Sequence, residues 1–207
     1  MASKYALVVD TKRCIGCWSC AVACKLENNI PDQVWYKRVE TVGGASPNTP
    51  AGTYGDCTLS YRPMGCMHCD SPSCVEVCPV GATWKDEETG VVMQDPETCI
   101  GCGACAEACP YGAPVIDVER SLSLKCDGCH ERVAAGLTPT CVSACPMRAL
   151  DFGPIDELRE KYGETAAIAP LPDPSVTGPN VVITPCRDAL EAGAEGSIVN
   201  ENELALA

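Results

Sequence analysis

The chain has 207 residues and a formal charge of −13, with 15 Lys and Arg against 28 Asp and Glu. That balance excludes a nucleic-acid partner, which needs a basic face, and no apolar run approaches the roughly 20 residues that cross a bilayer. With 1 Phe and 3 Trp beside 18 Cys, 18 Gly and 17 Pro, large side chains are too few to make a core alone, so much of the cohesion must come from the cysteines.

In chain order, Leu7-Val8-Val9 predicts a strand that leads through Asp10-Thr11-Lys12-Arg13 into a first cysteine run, Cys14-x2-Cys17-x2-Cys20-x3-Cys24. Gly43 to Pro50 reads as an irregular connecting loop. A second run follows, Cys66-x2-Cys69-x4-Cys74-x3-Cys78. The stretch Gly90-Val91-Val92-Met93 predicts another strand before the third run, Cys99-x2-Cys102-x2-Cys105-x3-Cys109, and the fourth is Cys126-x2-Cys129-x11-Cys141-x3-Cys145. The segments before each last cysteine, such as Ala21-Val22-Ala23 and Val142-Ser143-Ala144, are small and apolar and predict short helical turns. Pro154 to Gly163 predicts a packing helix with Ile155, Leu158 and Tyr162 on one side and Gly163 as its stop. From Pro170 the chain is Pro-rich and then acidic, and such a tail is stable only when it lies on this protein or on a partner.

Three closely spaced thiolates curl around three corners of an iron–sulfur cube while the fourth, leaving in another direction, ligates a neighbouring cube. The four runs therefore predict four [4Fe–4S] clusters. Proline follows Cys78, Cys109 and Cys145, as in bacterial ferredoxins. Lys25 follows Cys24, which implies a change of chain direction with the ligand kept. A disulfide framework would suit a secreted chain, but Met1 to Asp10 has no signal-peptide pattern. Zinc needs two cysteine pairs and has no use for the third and fourth members of each run. His68 and His130 sit beside cluster cysteines, and hydrogen bonding or packing is the role expected of them. Cys57 and Cys186, outside the runs, read as ordinary thiols.

The segment Asp10 to Cys17 repeats as Asp95 to Cys102, with Gly16 and Gly101 placed where a backbone without Cβ can pass close to a cluster. Pairing the runs as in a two-cluster ferredoxin makes the second and third one module and the first and fourth another. The expected fold is α+β and loop-rich, with two bacterial-ferredoxin-like modules, one inserted in the other: residues 1–59 plus 118–165 outside, 60–117 inserted, and 166–207 an extended C-terminal tail. Exchange of fourth cysteines predicts one cluster on Cys14, Cys17, Cys20 and Cys145 and its neighbour on Cys126, Cys129, Cys141 and Cys24. In the insert, one takes Cys66, Cys69, Cys74 and Cys109, and the other Cys99, Cys102, Cys105 and Cys78.

Four centres of one kind in a small chain suit electrons hopping along a row. No phosphate-cradling loop, nucleophile elbow or zinc-protease motif is present, so catalysis is expected on another chain. The sequence also resembles a known family, the iron–sulfur electron-transfer subunits of the dimethyl sulfoxide reductase type of molybdenum enzymes. The resemblance is carried by Lys125-Cys126-Asp127-Gly128-Cys129, Thr138-Pro139-Thr140-Cys141, Cys145 through Arg159, Cys109-Pro110-Tyr111-Gly112-Ala113-Pro114 and Pro179-Asn180-Val181-Val182-Ile183. It implies a complex in which a molybdopterin-containing catalytic subunit and a polytopic, quinol-oxidising membrane anchor flank this chain at the periphery of the membrane; that the chain has no signal peptide of its own is the expectation from Met1 to Asp10 alone. The corresponding subunit of a formate dehydrogenase, polysulfide, thiosulfate or nitrate reductase or hydrogenase complex, or a free-standing polyferredoxin, is the alternative.

Overall fold

The computed structural model describes residues 4–205. In chain order the first half contains β1 (Tyr5–Asp10), α1 (Ser19–Glu27), β2 (Arg38–Val42), β3 (Gly44–Ser46), β4 (Thr49–Thr53), β5 (Asp56–Thr58), β6 (Ser60–Met64), α2 (Ser73–Glu76), β7 (Thr83–Lys85) and β8 (Val92–Gln94). The second half contains α3 (Ala104–Ala108), β9 (Val115–Asp117), β10 (Leu122–Leu124), α4 (His130–Ala134), α5 (Thr140–Ser143), β11 (Leu150–Pro154), α6 (Ile155–Tyr162), β12 (Val181–Thr184) and α7 (Glu201–Ala205). Helices and strands are short and mixed among loops, as the α+β expectation has it.

β1 is the middle strand of the largest apolar sheet, antiparallel to β11 and parallel to β12. Its alternation buries both faces. Ala6 and Val8 pack with Val182 against Ile155 and Leu158 of α6, so α6 is the packing helix its periodicity implies. Val9 faces the other way, into the main core with Leu150, Val181 and Ile183.

This sheet also sets the geometry of the cysteines. Val9 stands opposite Leu150, and the Asp10 N–H donates to Ala149 O at 2.8 Å. Cys14, four residues past Asp10, and Cys145, four before Ala149, therefore leave the sheet at the same end. The β7–β8 hairpin repeats the device: Thr83 pairs with Gln94, the Asp95 N–H donates to Ala82 O at 2.8 Å, and Cys78 and Cys99 leave together. In both places the cysteine N–H turns back to the aspartate carbonyl, Cys14 to Asp10 and Cys99 to Asp95.

Gly43 to Pro50 departs from the irregular loop expected of it. β3, β4 and β5 form an antiparallel meander, with a register shift between Gly44 and Ser46 and a two-residue loop of Tyr54 and Gly55, the latter at φ +92°. The ladder is mostly exposed, so backbone hydrogen bonds rather than an apolar alternation define it, and composition gave no sign of it.

The C-terminal segment lies on this chain. Beyond β12, the Val199 N–H donates to Thr41 O, and the buried Asn200 side chain accepts from the Thr41 N–H at 2.8 Å and donates to Val39 O at 2.9 Å, which occupies polar groups on the open edge of β2. β2 itself pairs with β6, and between them the buried Glu40 and Arg62 form an ion pair.

Candidate metal centres

Each cysteine run opens on the same turn. The residue before the second cysteine is left-handed in all four: Gly16 (φ +68°), His68 (+45°), Gly101 (+65°) and Gly128 (+70°). This conformation curls the chain so that neighbouring sulfurs face one space. It also aims a backbone N–H at the first sulfur, Gly16 to Cys14 and Gly128 to Cys126 (3.3 Å). Packing gives glycine a second reason here, because a Cβ on Gly101 would collide with Ser121 O and one on Gly16 would lie 2.5 Å from the Tyr61 ring. The close approach at these glycines is thus to protein. Gly101→Ala is expected to cost the roughly 1–2 kcal/mol of a left-handed alanine plus a clash with backbone that cannot yield. Gly103→Ala, at φ +81° with nothing within 4 Å, pays only the first part. Thermal loss of the protein's visible absorbance, compared between the two variants, measures the difference.

The runs close on a second shared turn. Cys78, Cys109 and Cys145 each begin the sequence Cys-Pro-x-x-Ala, with the fourth position left-handed at Gly81, Gly112 and Arg148. Proline ends the preceding helical turn, and the chain returns so that the alanine N–H reaches the sulfur: Ala149 to Cys145 at 3.3 Å and Ala113 to Cys109 at 3.5 Å. Ala82, Ala113 and Ala149 are all buried. At Cys24 the helix instead runs on to Glu27, and the donor four residues later is the side chain of Asn28, whose Nδ2 is 3.6 Å from Cys24 Sγ. Lys25, in the place of proline, ties the following loop by donating to the carbonyls of Pro31, Asp32 and Val34.

Distant cysteines meet. Cys14, Cys17, Cys20 and Cys145 line one apolar cavity with Trp18, Pro146 and Leu150. Cys66, Cys69, Cys74 and Cys109 line another with Pro110, Tyr111 and Val92. Cys24, Cys126, Cys129 and Cys141 share a third, into which Cys66 also faces. For the remaining four, Cys99 and Cys105 converge on Ser123, whose N–H donates to Cys99 Sγ at 3.4 Å and whose Oγ is 3.1 Å from Cys105 Sγ. The β7–β8 hairpin brings Cys78 to the same end, and Cys102 is exposed. Cys57 and Cys186 lie outside these groups, in one groove beside Cys14.

The x3 spacing that closes every run explains how neighbouring cavities adjoin. Residues four apart on a helix are about 6 Å apart along its axis, so Cys20 and Cys24 of α1 reach two adjacent cavities, and Cys141 of α5 and Cys145, in the turn after it, reach the same two in reverse. Cys74 of α2 and Cys109, just past α3, line the cavity of Cys66, with Cys78 and Cys105 four residues from them along the chain. Between the two pairs stands His68. Its Nδ1 accepts from the Val92 N–H at 3.0 Å, which leaves the ring proton on Nε2, 3.8 Å from Cys126 Sγ, while Cys66 Sγ is 3.8 Å from Nδ1. The three cavities therefore follow one another in the order Cys14, Cys126, Cys66.

Burial dominates the electrostatics. It raises the thiols of Cys74 to about 12 and of Cys69 and Cys141 to about 11, with neighbouring cysteine charges adding to the shift in each case. Cys78 goes the other way: burial opposes, but the backbone N–H groups of Val80, Thr83, Ala82 and Gly81 hold it below the ordinary thiol value. Cys17 is also lowered, chiefly by the Ser19 hydroxyl. Crowded sulfurs that repel one another, in water-poor pockets lined with N–H donors, suit thiolates bonded to a cationic iron core. Among the described residues no three Cys, His, Asp or Glu side chains converge tightly enough to hold one metal ion. The sulfurs surround a volume instead of a point, which fits a multi-iron cube.

Comparison with known proteins gives this donor set a lineage. Two family models described as 4Fe-4S dicluster domains match residues 57–155 and 13–82. Over 206 residues, 99% of this chain and 100% of the relative, the sequence is 42% identical to the B subunit of the anaerobic dimethyl sulfoxide reductase of Escherichia coli (strain K12). The protein belongs to the family of these iron–sulfur B subunits. Other members are the corresponding anaerobic dimethyl sulfoxide reductase subunit of Haemophilus influenzae, 43% identical over 97% of this chain and 99% of its own, and the thiosulfate reductase electron transfer subunit of Salmonella typhi, 38% identical over 76% and 79%. The dicluster models that match this chain account for the duplicated turns: each Cys-x-x-Cys and each Cys-Pro-x-x-Ala is one copy of a unit used several times. Asn28 and Ser123, which complete two of the sulfur environments, lie outside every cysteine run, so spacing alone gave no signal for them. Among the described residues no helix is long and apolar enough to cross a membrane.

Proposed function

We propose that this chain is the electron-transfer subunit of a molybdenum oxidoreductase complex of the dimethyl sulfoxide reductase type, relaying electrons from a quinol-oxidising membrane anchor to a molybdenum bis-pterin catalytic subunit. The observation that carries the reading is the succession of cysteine-lined cavities, the first two sharing α1 and the second and third sharing His68, with Cys99 and Cys105 gathered at Ser123. Four [4Fe–4S] clusters would fill them: Cys14, Cys17, Cys20 and Cys145; Cys24, Cys126, Cys129 and Cys141; Cys66, Cys69, Cys74 and Cys109; and Cys78, Cys99, Cys102 and Cys105. Bound there, each cluster accepts and releases one electron. The protein's own part is to exclude water with its apolar linings, to fix the sulfurs in adjacent pairs through the x3 spacing, and to set potentials through backbone N–H donors.

The paired strands at Asp10 and Ala149 and at Asp95 and Ala82 support two equivalent modules, residues 60–117 inserted between 1–59 and 118–165, with 166–207 packed along the outside. The two terminal groups in the row carry the exposed Cys17 and Cys102, each beside an exposed isoleucine, Ile15 and Ile100. These ends are the places for electrons to enter and leave, at a complex peripheral to the membrane, with catalysis on the partner subunit. Purification through a tag on this chain from its native host tests the reading. Recovery with a molybdenum-containing large subunit and a polytopic membrane protein is expected, and recovery as a lone brown protein would favour the free polyferredoxin.

A further inference from the structure

Ser123 is the middle residue of β10, opposite Ile116 of β9. Its neighbours Leu122 and Leu124 are half-buried, and Leu124 packs against the core of Cys24, Ile30 and Val34. Strand alternation turns Ser123 to the other face, where it is 3% exposed. A buried hydroxyl costs free energy unless it is hydrogen-bonded, and here its partner is sulfur. Oγ lies 3.1 Å from Cys105 Sγ, and the N–H of the same residue donates to Cys99 Sγ at 3.4 Å. Gln94, at the end of β8, brings its amide nitrogen to 3.8 Å from that same Cys99 sulfur.

The β9–β10 hairpin seats closely on the third cysteine run, because the missing Cβ of Gly101 would stand 2.3 Å from Ser121 O. The internal repeat supplies a comparison: Val9, Cys14 and Cys20 occupy the places of Gln94, Cys99 and Cys105. Val9 is buried in the apolar core, and among the described residues no side-chain donor reaches Cys14 or Cys20. The hydroxyl of that group, Ser19, serves the exposed Cys17, where water competes with it. Ser123 instead holds two sulfurs from the protein side, and Cys105 is buried.

A cysteine bonded to iron has no S–H left, so the Ser123 hydroxyl, which rotates to suit its partner, must donate to Cys105. Each electron placed on the cluster adds negative charge that its sulfurs share, and hydrogen bonds to charged acceptors are the stronger ones. Both bonds therefore favour the reduced state. Resting on the function proposed above, we propose that Ser123 sets the reduction potential of the cluster held by Cys78, Cys99, Cys102 and Cys105, raising it through the hydroxyl bond to Cys105 and the N–H bond to Cys99. It is a positioning residue that acts through sulfur and is not itself a ligand. The same cluster carries the exposed Cys102, so Ser123 adjusts the electron affinity of a centre placed to exchange electrons with a partner.

The test is a redox titration of the intact complex, followed by electron paramagnetic resonance, on the wild type, Ser123→Ala and Ser123→Thr. Iron content is measured in parallel, and Cys99→Ser identifies the signal of this cluster. Ser123→Ala keeps the N–H and removes the hydroxyl. It is expected to make this one cluster harder to reduce by at least threefold in equilibrium constant, about 28 mV for one electron, with full iron content and the other three potentials unmoved. Ser123→Thr, which restores a hydroxyl, is expected to titrate with the wild type. An unchanged potential in Ser123→Ala, an equal shift of all four clusters, the same shift in both variants, or loss of the cluster in Ser123→Ala would overturn the proposal. A wild-type complex without cluster signals would overturn the cluster assignment itself, a distinguishable result.

Discussion

Replacing Cys24 with serine is expected to remove the cluster of Cys126, Cys129 and Cys141, a hundred residues away in sequence, and to spare the one beside it at Cys14, Cys17 and Cys20. About a quarter of the iron should be lost, since one cube of four would go. The reason is the helix. Cys20 and Cys24 are one turn apart on α1, and the burial and charge that raise the Cys24 thiol come with Cys126, Cys141 and Cys129, whereas Cys20 feels Cys14 and Cys145. Cys20→Ser should therefore do the opposite and remove the first cluster. Electron paramagnetic resonance of the reduced complexes distinguishes them, because each variant loses a different signal. If Cys24→Ser and Cys20→Ser delete the same signal, the exchange of fourth cysteines is wrong.

The second large effect concerns Arg62. Its guanidinium is 2% exposed, donates to both Glu40 Oε2 and the carbonyls of Ile168 (3.2 Å) and Ala169 (3.1 Å), and so fastens β2 and β6 to the C-terminal segment. Truncation to alanine leaves Glu40 with Arg38 alone and two carbonyls unpaired, a loss of about 3–5 kcal/mol as for other broken buried pairs. Arg62→Met with Glu40→Met removes both charges together and should recover a large part of that. Denaturant or thermal unfolding of the purified complex measures it. If the losses of the single variants Arg62→Met and Glu40→Met simply add in the double variant, the pair contributes no coupling.

What the sequence revealed and what it hid divide along a physical line. The cysteines were legible because ligation to a cube fixes spacing within a few residues, and the duplication of Asp10 to Cys17 in Asp95 to Cys102 was legible for the same reason. The strand at Val8 and the helix at Leu158 were legible because both bury a periodic apolar face. The β3–β5 meander was not, since Gly44, Pro50 and Gly52 carry no alternating pattern and the ladder is held by backbone groups. Asn28 was hidden for another reason: it reaches the Cys24 sulfur from a position that no motif constrains. His68 lay in view inside a cysteine run, but its place between Cys66 and Cys126 depends on two segments meeting, and only the folded chain brings them together. Gly16 and Gly101 were expected to let the backbone pass close to a cluster; the atoms that crowd their Cβ positions are those of Tyr61 and Ser121, and the left-handed turn at both came to light only in the folded chain.

Electron relay through this protein requires that four iron–sulfur cubes stand in a row within the one polypeptide. Iron and acid-labile sulfide determined on the intact, anaerobically purified complex, together with spin quantitation of the reduced form, test it most directly. About sixteen iron atoms assignable to this protein are expected, four for each group of four cysteines, with magnetic interaction between neighbouring reduced clusters. About eight iron atoms or fewer, half the complement of four cubes, or zinc in place of iron, would contradict it.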